Sequence, residues 1–154
     1  MYATEVSRYV SAPPAAVYRA LLDARAVADW RVPDGMTGRV HAFDVRVGGA
    51  FRVSLTYDDG RPGAGKSTDR TDTYHGRFAQ LVPFEKVVEV VQFDTDDPRF
   101  AGTMTITTTL VPAGAGTTVV IVHEGVPDAV PADANAAGAR TALAKLARWV
   151  EAAG

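Results

Sequence analysis

"AFRVSLTYDDGRPGAGKSTDRTDTYHGRFAQLV", residues 50–82, admits two readings, and the choice between them decides the fold. Gly60, Gly65, Lys66 and Ser67 complete the phosphate-cradling pattern G-x-x-x-x-G-K-[ST]. Such a loop works by converging backbone N–H groups on phosphate oxygens at the positive end of a helix that starts at the lysine. The strand before it is present, because Phe51, Val53, Leu55 and Tyr57 alternate with Arg52, Ser54, Thr56 and Asp58, the period of a half-buried strand. The helix after it is missing. "TDRTDTYHGRFAQLV" carries no apolar residues at i, i+3, i+4, and its Thr, Tyr and Phe content suits another strand. "KVVEVVQFD" ends on Asp94 as a nucleotide-hydrolysing strand would, yet parallel strands need crossover segments of a dozen or more residues, and nothing helical fits between 50 and 125. Residues 60–68 therefore read as a Gly/Asp-rich turn between two antiparallel strands.

Working outward, the 154 residues suffice for one domain spanning 1–154. A net charge of −2 with mixed signs offers no basic stripe for nucleic acid and no polybasic anchor for a membrane surface. The chain has no cysteine, which removes disulfides, thiol chemistry and Cys-ligated zinc and suits a reducing compartment. Glu5 and Arg8 interrupt the first ten residues, so no signal peptide is expected, and no stretch is long enough to span a bilayer. The expectation is a cytoplasmic protein, monomer or homodimer, without nucleic-acid or membrane partners.

"ATEVSRYVS" alternates as a first strand. Pro13 and Pro14 then open a helix, since proline in the first turn sacrifices only an N–H that has no partner there anyway. Val17, Ala20, Leu21 and Ala24 share one helical face, and "DARAVADW" continues as a second short helix ending near Trp30. Strands follow at about 37–46, 49–58, 71–82, 85–94, 101–111 and 117–124, joined by short turn signals into an antiparallel meander. The last segment returns to helical spacing, with Ala139, Ala142, Leu143, Leu146 and Val150 as its apolar stripe and Lys145, Arg148 and Glu151 outside.

This order of elements resembles the START-like (SRPBCC) superfamily, whose α+β helix-grip fold, that of the birch-pollen-allergen group, wraps a curved antiparallel sheet of about seven strands around a long C-terminal helix. The strings "SAPPAAVYRALLDARAVADW", "DVRVGGAFR", "QLVPFEKVVEV", "GAGTTVVIVHEG" and "AGARTALAKLARWVE" narrow the resemblance. In order and spacing they are similar to the branch named for activators of the heat-shock-protein-90 ATPase. Tyr18 stands where that branch commonly has Trp, and Ala139 follows Gly138 where it often has Trp. The second departure implies a roomier cavity beneath the final helix, or one filled from the sheet. Chaperone activation is the less expected role, because the eukaryotic activator resembles this chain only in its C-terminal domain. The resemblance implies instead a cavity between sheet and helix for a small apolar or aromatic ligand, with a polyketide cyclase or dehydratase as the alternative.

The residues offer few chemical handles. His41, His75 and His123 show no metal-ligand spacing, no serine sits in a nucleophile elbow, and no catalytic residue, metal or cofactor is expected. His123 shares a strand face with Thr117, Val119 and Ile121 and is a candidate to point inward, while Glu124 points away. The plainer reading of His123 is a strand-end side chain bonded to water or a loop. Asp44 and Arg46, two apart on a strand, either hold a ligand's polar end or form a surface ion pair. Candidate cavity residues are Trp30 on the second helix, Phe43, Phe51, Tyr57, Tyr74, Phe78, Phe93, Met104 and His123 on strands, and Leu143 on the last helix. Aromatic rings with phenolic hydroxyls suit a planar or lipid-like ligand. Binding requires only apolar volume, whereas cyclisation requires a buried titratable group facing it.

Overall fold

The computed structural model describes residues 1–58 and 71–153. Its elements run β1 (Tyr2–Val10), α1 (Pro14–Leu21), α2 (Ala24–Trp30), β2 (Met36–Phe43), β3 (Ala50–Tyr57), β4 (Thr71–Val82), β5 (Lys86–Phe93), β6 (Met104–Ala113), β7 (Gly116–Val126) and α3 (Ala132–Ala153). The seven strands form one curved antiparallel sheet in the order β1-β7-β6-β5-β4-β3-β2. From β2 to β7 the path is a meander, as short turns require, and β1 closes against β7 from Tyr2↔Val126 to Val10↔Thr117. This is the helix-grip fold that the resemblance implies.

β3 pairs antiparallel with β4 through Val53↔Tyr74 and Leu55↔Asp72, so the strand before the phosphate-loop motif is followed by a strand, not a helix. The loop itself, with Gly60, Gly65, Lys66 and Ser67, lies outside the described residues. β2 ends at Phe43, three residues before its expected end. The chain turns at Asp44–Gly49 because Gly48 takes φ 82°, and a Cβ on Gly49 would fall 2.0 Å from the Asp44 carbonyl oxygen. Asp44 and Arg46 consequently sit in that turn rather than on a strand, as an exposed ion pair at 2.7 Å.

α1 starts at Pro14, with Pro13 as its cap residue. α2 starts where the Asp23 carboxylate accepts the Arg25 and Ala26 N–H groups at 2.8 and 3.3 Å, the side-chain cap that satisfies otherwise orphaned donors. The Trp30 indole N–H reaches the Ala20 carbonyl at 3.2 Å and ties α2 to α1. α3 packs against β1, α1 and α2. Leu143, Leu146, Ala147 and Val150 of α3 join Val6, Val10, Val17, Leu21, Val27 and Val119 in the core. Lys145, expected outside, is mostly covered instead. Its Nζ donates to the Val32 carbonyl at 2.6 Å, fixing α3 over the chain that leaves α2.

Candidate functional site

Beneath the first half of α3 the grip is loose. A cavity of about 250 Å³ separates it from the concave sheet face, just below the roughly 300–1,000 Å³ usual for sites that enclose drug-sized ligands. α3 contributes only Ala134, Asn135, Gly138, Ala139 and Ala142 to its wall. Gly138 is exposed and a Cβ placed on it would meet nothing within 4 Å. The cavity adjoins Ala139, the position of the second departure. A larger depression of about 560 Å³ lies beside Asp29, Lys145, Arg148 and Trp149, but it opens on the outside of the helices and no strand residue enters it.

The sheet side is apolar along its middle, with Val91, Phe93, Met104, Ile106 and Ile121, which successive inward positions of β5, β6 and β7 supply. Polar groups complete the wall. Arg31, one residue past the end of α2, grips Glu89 of β5 through Nη1–Oε2 at 2.6 Å and Nη2–Oε1 at 3.0 Å. Both side chains are largely withdrawn from water, at 17% and 5% exposure. Burial alone would lower the pKa of Arg31, but Glu89 reverses this and the net shift is upward. Asp72 is also buried, and it lines the cavity together with Arg31.

Two further polar groups line the cavity. Tyr74 presents its hydroxyl to a buried position with no hydrogen-bond partner among the described residues. Its pKa is raised by burial and further by Glu89, against the opposing pull of Arg31. His123 lines the cavity from β7 and is bonded at Nδ1 to the Asn135 side-chain nitrogen at 3.1 Å, while the Thr4 hydroxyl donates to Asn135 Oδ1 at 2.5 Å. An amide nitrogen can only donate, so His123 Nδ1 accepts and the neutral ring carries its proton on Nε2. Desolvation, and then the Arg31 charge, lower its pKa from 6.5 to about 4, so the ring is neutral at pH 7. Where the plainer sequence reading of His123 has a loop or water as partner, Nδ1 is bonded to a helix residue, Asn135.

Of the ten candidates named from sequence, Trp30, Tyr74, Phe93, Met104 and His123 line the cavity. Phe51, Phe78 and Leu143 are wholly buried in the core, and Phe43 meets Phe78 edge-on at 5.5 Å, next to the Phe51–Phe78 contact at 5.2 Å. Tyr57 sits at the end of β3 opposite Met36. These five fill or flank the β2–β4 end and the helix seat instead of the cavity. His41 and His75 face outward from β2 and β4. There His41 bonds Ser54 at 2.8 Å, and His75 bonds Asp94 at 2.5 Å with Arg52 on the same carboxylate. No cluster of metal-ligating side chains occurs among the described residues, and no described helix is long and apolar enough to cross a membrane.

A seven-stranded helix-grip sheet with a cavity under its terminal helix defines the structural class. Residues 11–151 match the family model described as Activator of Hsp90 ATPase homolog 1-like protein, and the chain belongs to that family. Protein CV1439 from Chromobacterium violaceum is 34% identical over 98% of this chain and 99% of its own, with a TM-score of 0.86. Two more distant structures show likeness of fold alone. One is the AHSA1 protein from Silicibacter pomeroyi, with 16% identity, 99% of each chain covered and a TM-score of 0.80. The other is the AHSA1-like protein from Aeromonas hydrophila, with 18% identity, 99% and 94% covered and a TM-score of 0.73. No curated protein matches the sequence.

Proposed function

We propose that the protein binds a small apolar or aromatic molecule in the cavity between the sheet and the first half of α3. The observation that carries this reading is the make-up of the cavity wall, in which the apolar Phe93, Met104, Ile106 and Ile121 are joined by a few polar side chains, among them Tyr74, Arg31 and His123. That pairing of apolar wall and few convergent polar groups is the usual make-up of a small-molecule site. The cyclase alternative has a footing, because titratable groups do face the cavity. Their chemistry favours binding. A general acid or base works best with a pKa near the operating pH, whereas the Tyr74 hydroxyl is shifted up and His123 down, away from neutrality. Both are donors of hydrogen bonds rather than carriers of protons.

Native extraction followed by mass spectrometry tests the reading, with Ala139→Trp as the matched control, because the indole would occupy the space that Ala139 leaves. A small molecule should leave with the wild-type protein and be absent from the variant. Equal small-molecule content in the two proteins, with the variant folded by circular dichroism, would sink the proposal.

A further inference from the structure

Three of the polar side chains that line the cavity can donate hydrogen bonds into it. The Tyr74 hydroxyl is buried and unpartnered among the described residues. Arg31 commits two of its five N–H groups to Glu89. His123 holds its proton on Nε2, because Asn135 occupies Nδ1 from the donor side. Tyr74, Arg31 and His123 all line the same space. Burying a polar hydroxyl with nothing to bond is costly, so such a group in a native fold calls for a partner.

The charges decide what kind of partner. Arg31 is already neutralised by the Glu89 carboxylate at 2.6 Å, and the Asp72 carboxyl stands on the same wall. The wall therefore offers donors without net positive charge. A carboxylate or sulfonate would be stripped of water and face Glu89 and Asp72, a poor exchange in a site of low dielectric.

We propose that the ligand is a flat, apolar molecule bearing a neutral oxygen acceptor, such as a ketone or aldehyde carbonyl, which accepts the Tyr74 hydroxyl, with Arg31 and His123 as the other donor side chains on the cavity wall. This rests on the binding role proposed above and specifies the chemistry of the same site. The acceptor end sits toward β4 and Arg31, while the apolar body lies along Met104, Ile106 and Ile121. Nothing is transferred and no bond is made or broken. The site recognises the oxygen by giving a buried donor its only partner.

Three naphthalenes of similar size test this: 2-ethylnaphthalene, 2-acetonaphthone and 2-naphthoate, titrated by calorimetry at pH 7 against the wild type and Tyr74→Phe. In the wild type, 2-acetonaphthone should bind about tenfold more tightly than 2-ethylnaphthalene, the discrimination expected of a hydrogen bond to an otherwise orphaned group, and 2-naphthoate should bind most weakly. Tyr74→Phe should abolish the preference for the ketone, leave 2-ethylnaphthalene unchanged and melt no lower than the wild type. Equal binding of ketone and hydrocarbon would overturn the acceptor inference and leave the binding role standing. Tightest binding of 2-naphthoate would overturn it in favour of a charge-reading Arg31. Binding of none of the three would remove the binding role together with the inference.

Discussion

The two halves of α3 treat the same sheet differently. In the C-terminal half, Leu143, Leu146, Ala147 and Val150 are buried to 4% exposure or less, and the helix closes on β1, α1 and α2. In the N-terminal half, Ala134, Gly138, Ala139 and Ala142 line a cavity that faces the sheet, and Asn135 makes the polar contacts to His123 of β7 and Thr4 of β1. One half is interdigitated packing whose worth is apolar area removed from water. The other leaves a cavity that Arg31, Tyr74 and His123 also line. Tight packing and open space are therefore separated along a single helix.

The sharpest way to break this contrast is at the ion pair. Glu89→Leu leaves Arg31 as a buried charge without its partner and should cost about 3–5 kcal/mol, whereas Arg31→Met combined with Glu89→Leu should recover most of the loss, because the desolvation penalty disappears with both charges. Urea unfolding of the two variants checks it. Equal losses in single and double variants would mean that the pair acts by packing alone.

In the other half, Leu146→Ala should cost about 2–5 kcal/mol through lost burial and a residual cavity, while Arg148→Ala, on the exposed side of the same turn, should change little. If chemical denaturation gave small losses for both, the C-terminal half would not be the tighter one.

A pH series sharpens the contrast from the cavity side. His123 has its pKa lowered from 6.5 to about 4 in the folded protein, so between those values the unfolded chain binds more protons than the native one. Stability is then fully present above pH 6.5 and is lost as pH falls toward 4, by about 3 kcal/mol in all from this group. His123→Gln should flatten the slope of unfolding free energy between pH 6.5 and 4 relative to the wild type. Unchanged slopes would show that His123 titrates normally, and that neither burial nor Arg31 disfavours its charged form.

These effects also mark what could be read in the sequence. Element order and type were legible because alternation at Phe51–Tyr57 and the stripe at Leu143–Val150 each report one buried face. The family strings added the grip. Position along a strand was not legible, since period 2 says that Phe51, Phe78 and Tyr74 point inward but not which of them meets a helix and which meets a void. That is decided by small residues on α3, far away in the chain. Glu89 carried a readable signal that went unused: it lies between Val87 and Val91 on the buried face of β5, where a charge needs a partner. Arg31, just past a helix end, belongs to no periodic pattern and could not be matched to it. The side chain of Lys145 was misplaced because helical periodicity takes no account of the Val32 carbonyl that draws it in.

The smallest expected effect tests the stand-off itself. Gly138 lies inside α3, where glycine is less favourable than alanine by about 1 kcal/mol because the unfolded chain loses more freedom on entering the helix. At a packed helix contact the added methyl would collide and reverse that gain. Here a Cβ meets nothing within 4 Å, so Gly138→Ala should raise unfolding free energy by up to about 1 kcal/mol, with a small upward shift of Tm in calorimetry. A destabilised Gly138→Ala would mean that the methyl meets a neighbour after all, and the contrast between the two halves of α3 would be lost.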